Sequence, residues 1–159
     1  MITVTGEIVC NVPDALKSLL ALCLHPPVAE IGIPSTAGQH PNSEQSMVEV
    51  AAIQEFGAPN ARHPIPQRSF LRDTLRMYRR VYTTAIVDSI KAGVGTSHAD
   101  RTVRDAVKST AKYYRNDVLR RIDDKIKPPN APMTVARKGF DHPLIETGAM
   151  KKAIIWRMR

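Results

Sequence analysis

The sequence is poor in the residues that stabilise small secreted or metal-binding domains. It has two cysteines, Cys10 and Cys23, in 159 residues, and aromatic residues make up only 5% of it. Secreted scaffolds of this size carry several paired cysteines, so we expect two reduced, partly buried thiols instead. With so few rings, the core should consist mainly of Val, Ile, Leu, Met and Ala side chains.

Long apolar runs are also missing. No segment approaches the ~20 apolar residues that span a bilayer. The first ten residues, MITVTGEIVC, lack the basic region and the apolar stretch of a signal peptide. These absences predict a protein that is made and kept in a cytoplasm and has no membrane partner.

Motifs for catalysis and for metal or cofactor binding are absent from the sequence. The five histidines stand in no metal-ligand spacing, and Cys10, Cys23 and His25 lie too far apart for a usual zinc site. No nucleophile elbow and no phosphate-cradling glycine loop occurs. Asp123 and Asp124 are adjacent, and adjacent helical side chains point about 100° apart, as on a solvated helix face. We therefore expect no enzyme, no cofactor and no metal.

Charge is distributed unevenly along the chain. Residues 1–60 hold six acidic residues and one basic residue, a net charge of −5, whereas residues 61–159 carry +13. Such asymmetry is typical of a nucleic-acid or membrane surface, or of subunits that pack head to tail through opposite charges. Composition alone does not separate these alternatives.

Two long amphipathic segments predict a helical hairpin. The first helix begins after Ser69, a good N-cap residue, and ends at Gly93; the second begins near Asp100 or Thr102 and ends before 128–129. A short glycine-containing turn between them makes the pair antiparallel. The apolar stripe of the first helix consists of Phe70, Leu71, Leu75, Tyr78, Val81, Tyr82, Ala85, Ile86 and Ile90.

Shorter patterns predict a small sheet. Residues 2–9 alternate apolar and polar side chains, as a half-buried strand does. The segments 28–33 and 154–158 are rich in β-branched residues and predict two further strands. The fold class is therefore α+β, with a small, mostly antiparallel sheet packed by helices and one long helical hairpin.

Two shorter helices complete the prediction. One starts at the cap residue Asn11 and extends to Cys23; the other runs from Ser46 to Phe56. Gly57 then stands where a helix often ends in a left-handed residue.

Proline-bearing segments separate these elements within one domain, 1–159. Residues 34–45, 58–67 and 128–148 contain Pro, Gly and polar residues that disfavour helix and central strand. We expect 34–45 and 128–148 to be irregular arms or loops, of which 34–45 and 128–143 become ordered by contact with neighbouring copies.

Basic residues cluster on both long helices. Arg72, Arg76, Arg79 and Arg80 lie within about two turns, and Arg115, Arg120, Arg121 and Lys125 form a second group. Such rows could neutralise phosphates, which makes a basic DNA-binding accessory protein the alternative function. Interleaved aspartates, and the lack of a helix-turn-helix, zinc-finger or RNA-binding signature, speak against it.

Two segments together carry a family resemblance. The first is AAIQEFGAPNARHPIPQRSFLRDTL (51–75), and the second is PPNAPMTVARKGFDHPLIETGAMKKAIIWRM (128–158). In this order, with a helical hairpin between them, they resemble the tail-completion and virion-morphogenesis proteins of tailed bacteriophages. Gln54 and Ser69 depart from residues more usual in that family. The positions that carry the resemblance are Glu55, Phe56, Gly57, Arg68, Phe70, Arg72, Lys138, Leu144, Thr147, Gly148 and Trp156.

The resemblance implies a structural virion protein without a catalytic role. It implies a ring, six-fold like the tail tube, at the head-proximal end of the tail. The partners would be copies of the chain itself, tail-tube and head-connector proteins, and genomic DNA in passing contact within the lumen. The location would be the virion neck, after assembly in the host cytoplasm. The jobs of tail terminator, tail-completion factor and head–tail joining protein all remain compatible with the sequence.

The motif residues should serve assembly. We also expect four apolar side chains to be largely buried, in the core or at a subunit contact: Phe56, Phe70, Leu71 and Trp156. Purely local roles remain an alternative for two glycines, with Gly57 ending a helix and Gly148 making a turn.

Overall fold

The structure, a computed structural model, describes residues 13–159. Within them the fold is α+β, with six α-helices and two short strands. The helices and strands, in chain order, are α1 (Asp14–Leu24), β1 (Ala29–Gly32), α2 (Met47–Phe56), α3 (Arg72–Gly93), α4 (Ala99–Asp123), α5 (Pro132–Lys138), α6 (Ala149–Ala153) and β2 (Ile155–Met158).

The predicted helical hairpin is confirmed as the antiparallel pair α3 and α4. At its tip Gly93 allows close approach, because a Cβ there would lie 3.0 Å from the Cα of Ala99. Polar contacts fix the rest of the pair: the Tyr82 hydroxyl donates to Asp117, and the Tyr114 hydroxyl donates to the carbonyl of Leu71 at 2.8 Å. Neither of these helices, nor any other in the described part, is long and apolar enough to cross a membrane.

The sheet in the described residues consists of β1 and β2, which pair antiparallel. Ala29 lies opposite Met158 and Gly32 opposite Ile155. Both strands were expected from their composition, whereas their pairing brings together segments more than a hundred residues apart. The strand predicted for 2–9 lies outside the described residues.

The core lies between α2, the second half of α4 and the segment that forms α6 and β2. Phe70, at the start of the hairpin, is completely buried in it. The buried cluster consists of Met47, Ala51, Phe70, Val118, Ile122, Ile126, Met150 and Ile154. Aliphatic side chains and methionines dominate this list, as the scarcity of aromatic residues requires.

The first helix packs more loosely than its apolar stripe suggested. Helix α1 has no buried residue and touches α4, where the Ser18 hydroxyl accepts a hydrogen bond from the amide of Asp100 at 2.9 Å. The prediction of a partly buried Cys23 is wrong, because that thiol is exposed. The proposed cap Asn11 and the other thiol, Cys10, lie outside the described residues.

The two expected arms fold back onto the chain. Residues 34–45 contain a short 3-10 turn at Ser35–Ala37, and the arm ends in a bridge from Gln39 to Ser46. The prediction that 128–148 is irregular is wrong in part, since α5 forms there and stops at the left-handed Gly139. The side-chain Nδ2 of Asn42 donates to Oε1 of Glu146 at 3.3 Å, so the two segments contact each other.

Only part of the predicted α3 stripe reaches the core. Tyr82 is buried against α4, but Leu75, Tyr78, Val81 and Ile90 are exposed. A single helix, α4, covers one side of α3, so apolar residues on its flanks have no cover within the described chain.

Gly57 ends α2 in a conformation that other residues avoid. Its φ of 77° was expected, but its ψ of 169° places it outside the left-handed helical region that the sequence predicted. The backbone also passes close by, since a Cβ at Gly57 would lie 2.9 Å from the Gln67 nitrogen. Both the dihedral angles and the space therefore require glycine here.

Gly57→Ala should destabilise the chain more than Gly38→Ala. The two glycines have similar φ values, 77° and 75°, but a Cβ at Gly38 would meet nothing within 4 Å. The backbone strain, about 1–3 kcal/mol, is then common to both variants. The overlap at Gly57 should add about 1–3 kcal/mol. Urea denaturation of the two variants measures the difference, and equal losses of stability would contradict this account.

Candidate assembly site

Glu55 joins the end of α2 to the start of α3. Its carboxylate is only 3% exposed, yet it accepts hydrogen bonds from five donors on residues 69–72. Oε2 accepts from the amides of Phe70 and Leu71 at 2.8 and 2.9 Å. Oε1 accepts from the Ser69 hydroxyl at 2.6 Å and from the amide and Nε of Arg72 at 3.1 and 3.0 Å. We call Glu55 with residues 69–72 the Glu55 junction.

These bonds keep Glu55 ionised. Burial alone would raise the pKa of the carboxyl, but hydrogen bonds from Ser69, Leu71 and Arg72 outweigh burial and hold the pKa below its ordinary value. Both oxygens are engaged by donors of the chain itself. The carboxylate therefore works as a structural anion and has little basicity left for proton transfer.

The junction corrects the prediction that Ser69 caps the long helix. Helix α3 begins at Arg72, after the cap position Leu71, and has no local side-chain cap. The first free amides of the helix instead donate to Glu55, fifteen to seventeen residues earlier in the chain. A carboxylate at a helix N-terminus satisfies unpaired amides and also interacts favourably with the helix dipole.

Phe56 lies on the surface of the single chain, so of the two places predicted for it, the core and a subunit contact, the core is excluded. Its ring is 60% exposed, and the guanidinium of Arg72 stacks over it, 4.3 Å from the ring centre. Because α2 ends here, Glu55 points into the protein and the next side chain points out. Beside Phe56 lies an apolar groove of about 250 Å³, lined in part by Ile33, Val48 and Leu71.

Arg68 connects the first motif to the second. Its side chain is buried, with Nε donating to the Pro128 carbonyl and Nη2 to the Pro129 carbonyl, both at 2.8 Å. Nη1 reaches the Gln54 side chain at 3.3 Å. Three acceptors thus surround one guanidinium, so the segment before α3 is fixed to the segment after α4.

Residues of the second motif form turns near Arg68 and line a cleft. Lys138 donates to the His142 carbonyl at 2.7 Å, and burial lowers the pKa of its ammonium group. Leu144 is half-buried against the core with a positive φ of 65°. Lys138 and Leu144 line a cleft of about 330 Å³ together with Gln54 of α2.

Thr147 and Gly148 have a local structural role. For Gly148 this is the alternative that the sequence left open. Gly148 is left-handed, with φ 76°, at the position before α6. The hydroxyl of Thr147 accepts from the amide of Ala149 at 3.2 Å. These two residues therefore start α6, which places Met150 in the core.

Trp156 lies apart from the other motif residues. It is half-buried on β2 in the single chain, and the ammonium group of Lys112 lies 5.6 Å from its ring centre. Leu71 is likewise half-buried, whereas Phe70 is fully buried as expected. The structure thus brings the motif residues Phe56, Phe70 and Arg72 together at Glu55, and Arg68 connects this group to the second segment.

Several residues that contact this region belong to neither of the two motif segments. Tyr114 contacts the junction through the Leu71 carbonyl, and burial, the main cause, raises the pKa of its hydroxyl to about 12. Arg115 donates to the Ile154 carbonyl at 2.8 Å and so ties α4 to the approach of β2. Tyr114 belongs to the predicted apolar stripe of α4, which could have placed it, but nothing in the local sequence indicated the partner of Arg115.

Among residues 13–159, no group of three or more His, Cys, Asp or Glu side chains is placed to hold a metal ion. No family model matches the chain, and neither does any curated protein or solved structure.

Glu55→Gln should lower the free energy of unfolding of the chain. It should also make that free energy fall less as the pH is lowered. The folded pKa of Glu55 is depressed, so the stability it provides is present above the ordinary Glu pKa of about 4.3 and is lost as the pH falls below it. At pH 7 the loss should be about 3 kcal/mol, since a charge that five donors surround is removed. Urea denaturation at a series of pH values should show the gap between wild type and variant closing in acid.

Glu44→Gln is the matched control, because Glu44 is exposed and forms no ion pair in the described chain. Its curve should run parallel to that of the wild type. A gap between wild type and Glu55→Gln that stays constant from pH 7 into acid would contradict the role given to the Glu55 charge.

Proposed function

We propose that this chain is a structural virion protein that forms a homo-oligomeric ring, six-fold, at the head-proximal end of a bacteriophage tail. The ring would complete or terminate the tail and join it to the head connector. The motif resemblance suggests this role, and the apolar surface that the chain leaves exposed is the observation that supports it most.

The accessible surface is large for the mass. It measures 11,126 Å², whereas a globular monomer of 17.6 kDa exposes about 7,900 Å². A chain with this much surface is typical of subunits that bury part of it against neighbours.

The exposed surface is also apolar. Among the described residues, seventeen large apolar side chains are exposed, against twelve buried apolar residues. Where exposed apolar side chains lie next to one another, they are typical of a surface that contacts another protein. Contact with other copies would bury some of these side chains.

The strongest single patch lies on α3. Met77 and Val81 are 60% and 65% exposed, and they lie one turn apart, on the same face of the helix. Tyr78 stands beside them and is also exposed. We call these three residues the Met77 face and assign it to the contact between neighbouring copies.

Opposite charges on the two halves of the chain contribute less to this proposal than the sequence suggested. Glu30 pairs with Arg157 at 2.7 Å and with Arg159. Glu49 accepts from Ser46 in a capping box, and Glu55 is enclosed in its junction. Much of the acidic charge before residue 60 is therefore used within the chain, which favours apolar burial as the main contact between copies.

A basic DNA-binding accessory protein remains the second proposal. Three of the seven arginines singled out on the two helices pair with carboxylates of the chain: Arg72, Arg76 and Arg120. Arg115 binds a carbonyl, whereas Arg79, Arg80 and Arg121 form no ion pair in the described part. Those three could meet phosphates.

Imaging of the particle tests the ring proposal directly. Virions that carry an epitope-tagged copy of the chain should show label at the neck or tail top, and electron cryomicroscopy should show a closed ring there. The mass of the purified protein, alone and in virions, gives the number of copies. Particles with no copy of the chain at the neck would overturn the proposal.

Met77→Glu with Val81→Glu should prevent incorporation into particles. Burying unpaired carboxylates at a contact costs several kcal/mol, enough to weaken association about a hundredfold or more. Quantitative mass spectrometry of purified virions measures the copies incorporated, and circular dichroism checks folding. Thr83→Glu with Val87→Glu, an equally spaced exposed pair on another flank of α3, is the control. Normal incorporation of the Met77→Glu, Val81→Glu variant would exclude the Met77 face as the contact.

A further inference from the structure

Half of each basic cluster of the sequence lines one cleft. It has a volume of about 650 Å³ and lies between the first turns of α3, the end of α4 and the segments next to them. The hairpin is antiparallel, so the start of its first helix lies beside the end of its second. Arginines more than forty residues apart in the chain thereby line the same space.

Basic side chains dominate the lining of this basic cleft. Six are present, Arg68, Arg72, Arg76, Arg121, Lys125 and Lys127, against two carboxylates, those of Asp73 and Asp124. Arg68 and Arg72 have partners in the Glu55 junction and its connection. Arg76 pairs with Asp73 at 3.3 Å in a mostly exposed contact, which contributes little and exchanges readily with solvent.

Arg121 supplies the decisive observation. Its Nε is buried and has no hydrogen-bond acceptor within the described chain. A buried charged donor without an acceptor is costly. Arg121 lines the cleft, so an anion held there would lie beside a guanidinium that lacks an acceptor within the described chain.

We propose that the basic cleft binds a phosphate group, with Arg121, Lys125 and Lys127 as its principal donors. A guanidinium presents a fork of N–H groups that matches the oxygens of a phosphate, and two ammonium groups add charge without fixed geometry. The phosphate could belong to a polynucleotide backbone or to a free phosphate compound. This inference does not require the ring, because one copy of the chain forms the whole cleft.

The test compares two double variants that remove equal charge. Lys125→Gln with Lys127→Gln removes two exposed cleft residues, and Arg101→Gln with Lys108→Gln removes two exposed α4 residues outside the cleft lining, which form no ion pair in the described chain. The full chain is titrated with pyrophosphate by calorimetry and with a fluorescent duplex DNA by anisotropy. Circular dichroism confirms that each variant folds, and the exposed positions make loss of folding a minor concern.

We expect the cleft variant to bind at least about tenfold more weakly than the control variant, because it lacks two charge-assisted contacts. With duplex DNA, the slope of log K against log salt should fall by about 1.8 in magnitude when two phosphate contacts are lost. Loss of duplex binding identifies a polynucleotide backbone as the source, and loss of pyrophosphate binding alone identifies a free phosphate compound. No binding of either probe by the wild type, or equal weakening in both variants, would overturn the proposal.

Discussion

The carboxylate of Glu55 determines how the two halves of the chain meet. Ionised and almost fully buried, it requires donors on every side, and the backbone of residues 70–72 supplies three of them. These bonds fix where α3 begins, which in turn places Phe70 in the core and Arg72 over Phe56. Since α4 packs on α3, the position of the whole hairpin relative to α2 depends on this one anion.

Arg68 extends the same constraint to the second motif. Its guanidinium spans from Gln54 to the carbonyls of Pro128 and Pro129, groups that would otherwise need water in a partly buried position. The two segments that carry the family resemblance are therefore one structural unit. Glu55 binds Ser69, Arg68 binds Gln54, and the backbone at Gly57 approaches Gln67, so the geometry of the fold alone ties these residues to one another.

Apolar periodicity, together with the Pro and Gly residues that end helices and strands, predicted most of the elements. The predictions that were wrong have specific physical causes. Ser69 has the chemistry of a local cap, but a distant carboxylate offers stronger acceptors to the same amides, and a local pattern cannot reveal that competition. Helix α5 spans seven residues, which are too few to show the apolar periodicity of a helix. Periodicity correctly identified the apolar face of α3. It does not show whether another part of the chain covers that face. Phe56 turned outward because Glu55, its neighbour, faces inward.

The origin of the charge in the basic cleft follows from the junction. A helix N-terminus normally adds positive potential through its free amides, but at α3 Glu55 already takes up those amides and compensates that potential. The end of α4 contributes exposed carbonyls, which are electronegative. What remains positive in the cleft therefore comes from side chains, chiefly Arg121, Lys125 and Lys127. Substitution of those side chains can then change the potential of the cleft while Glu55, and with it the fold, stays intact.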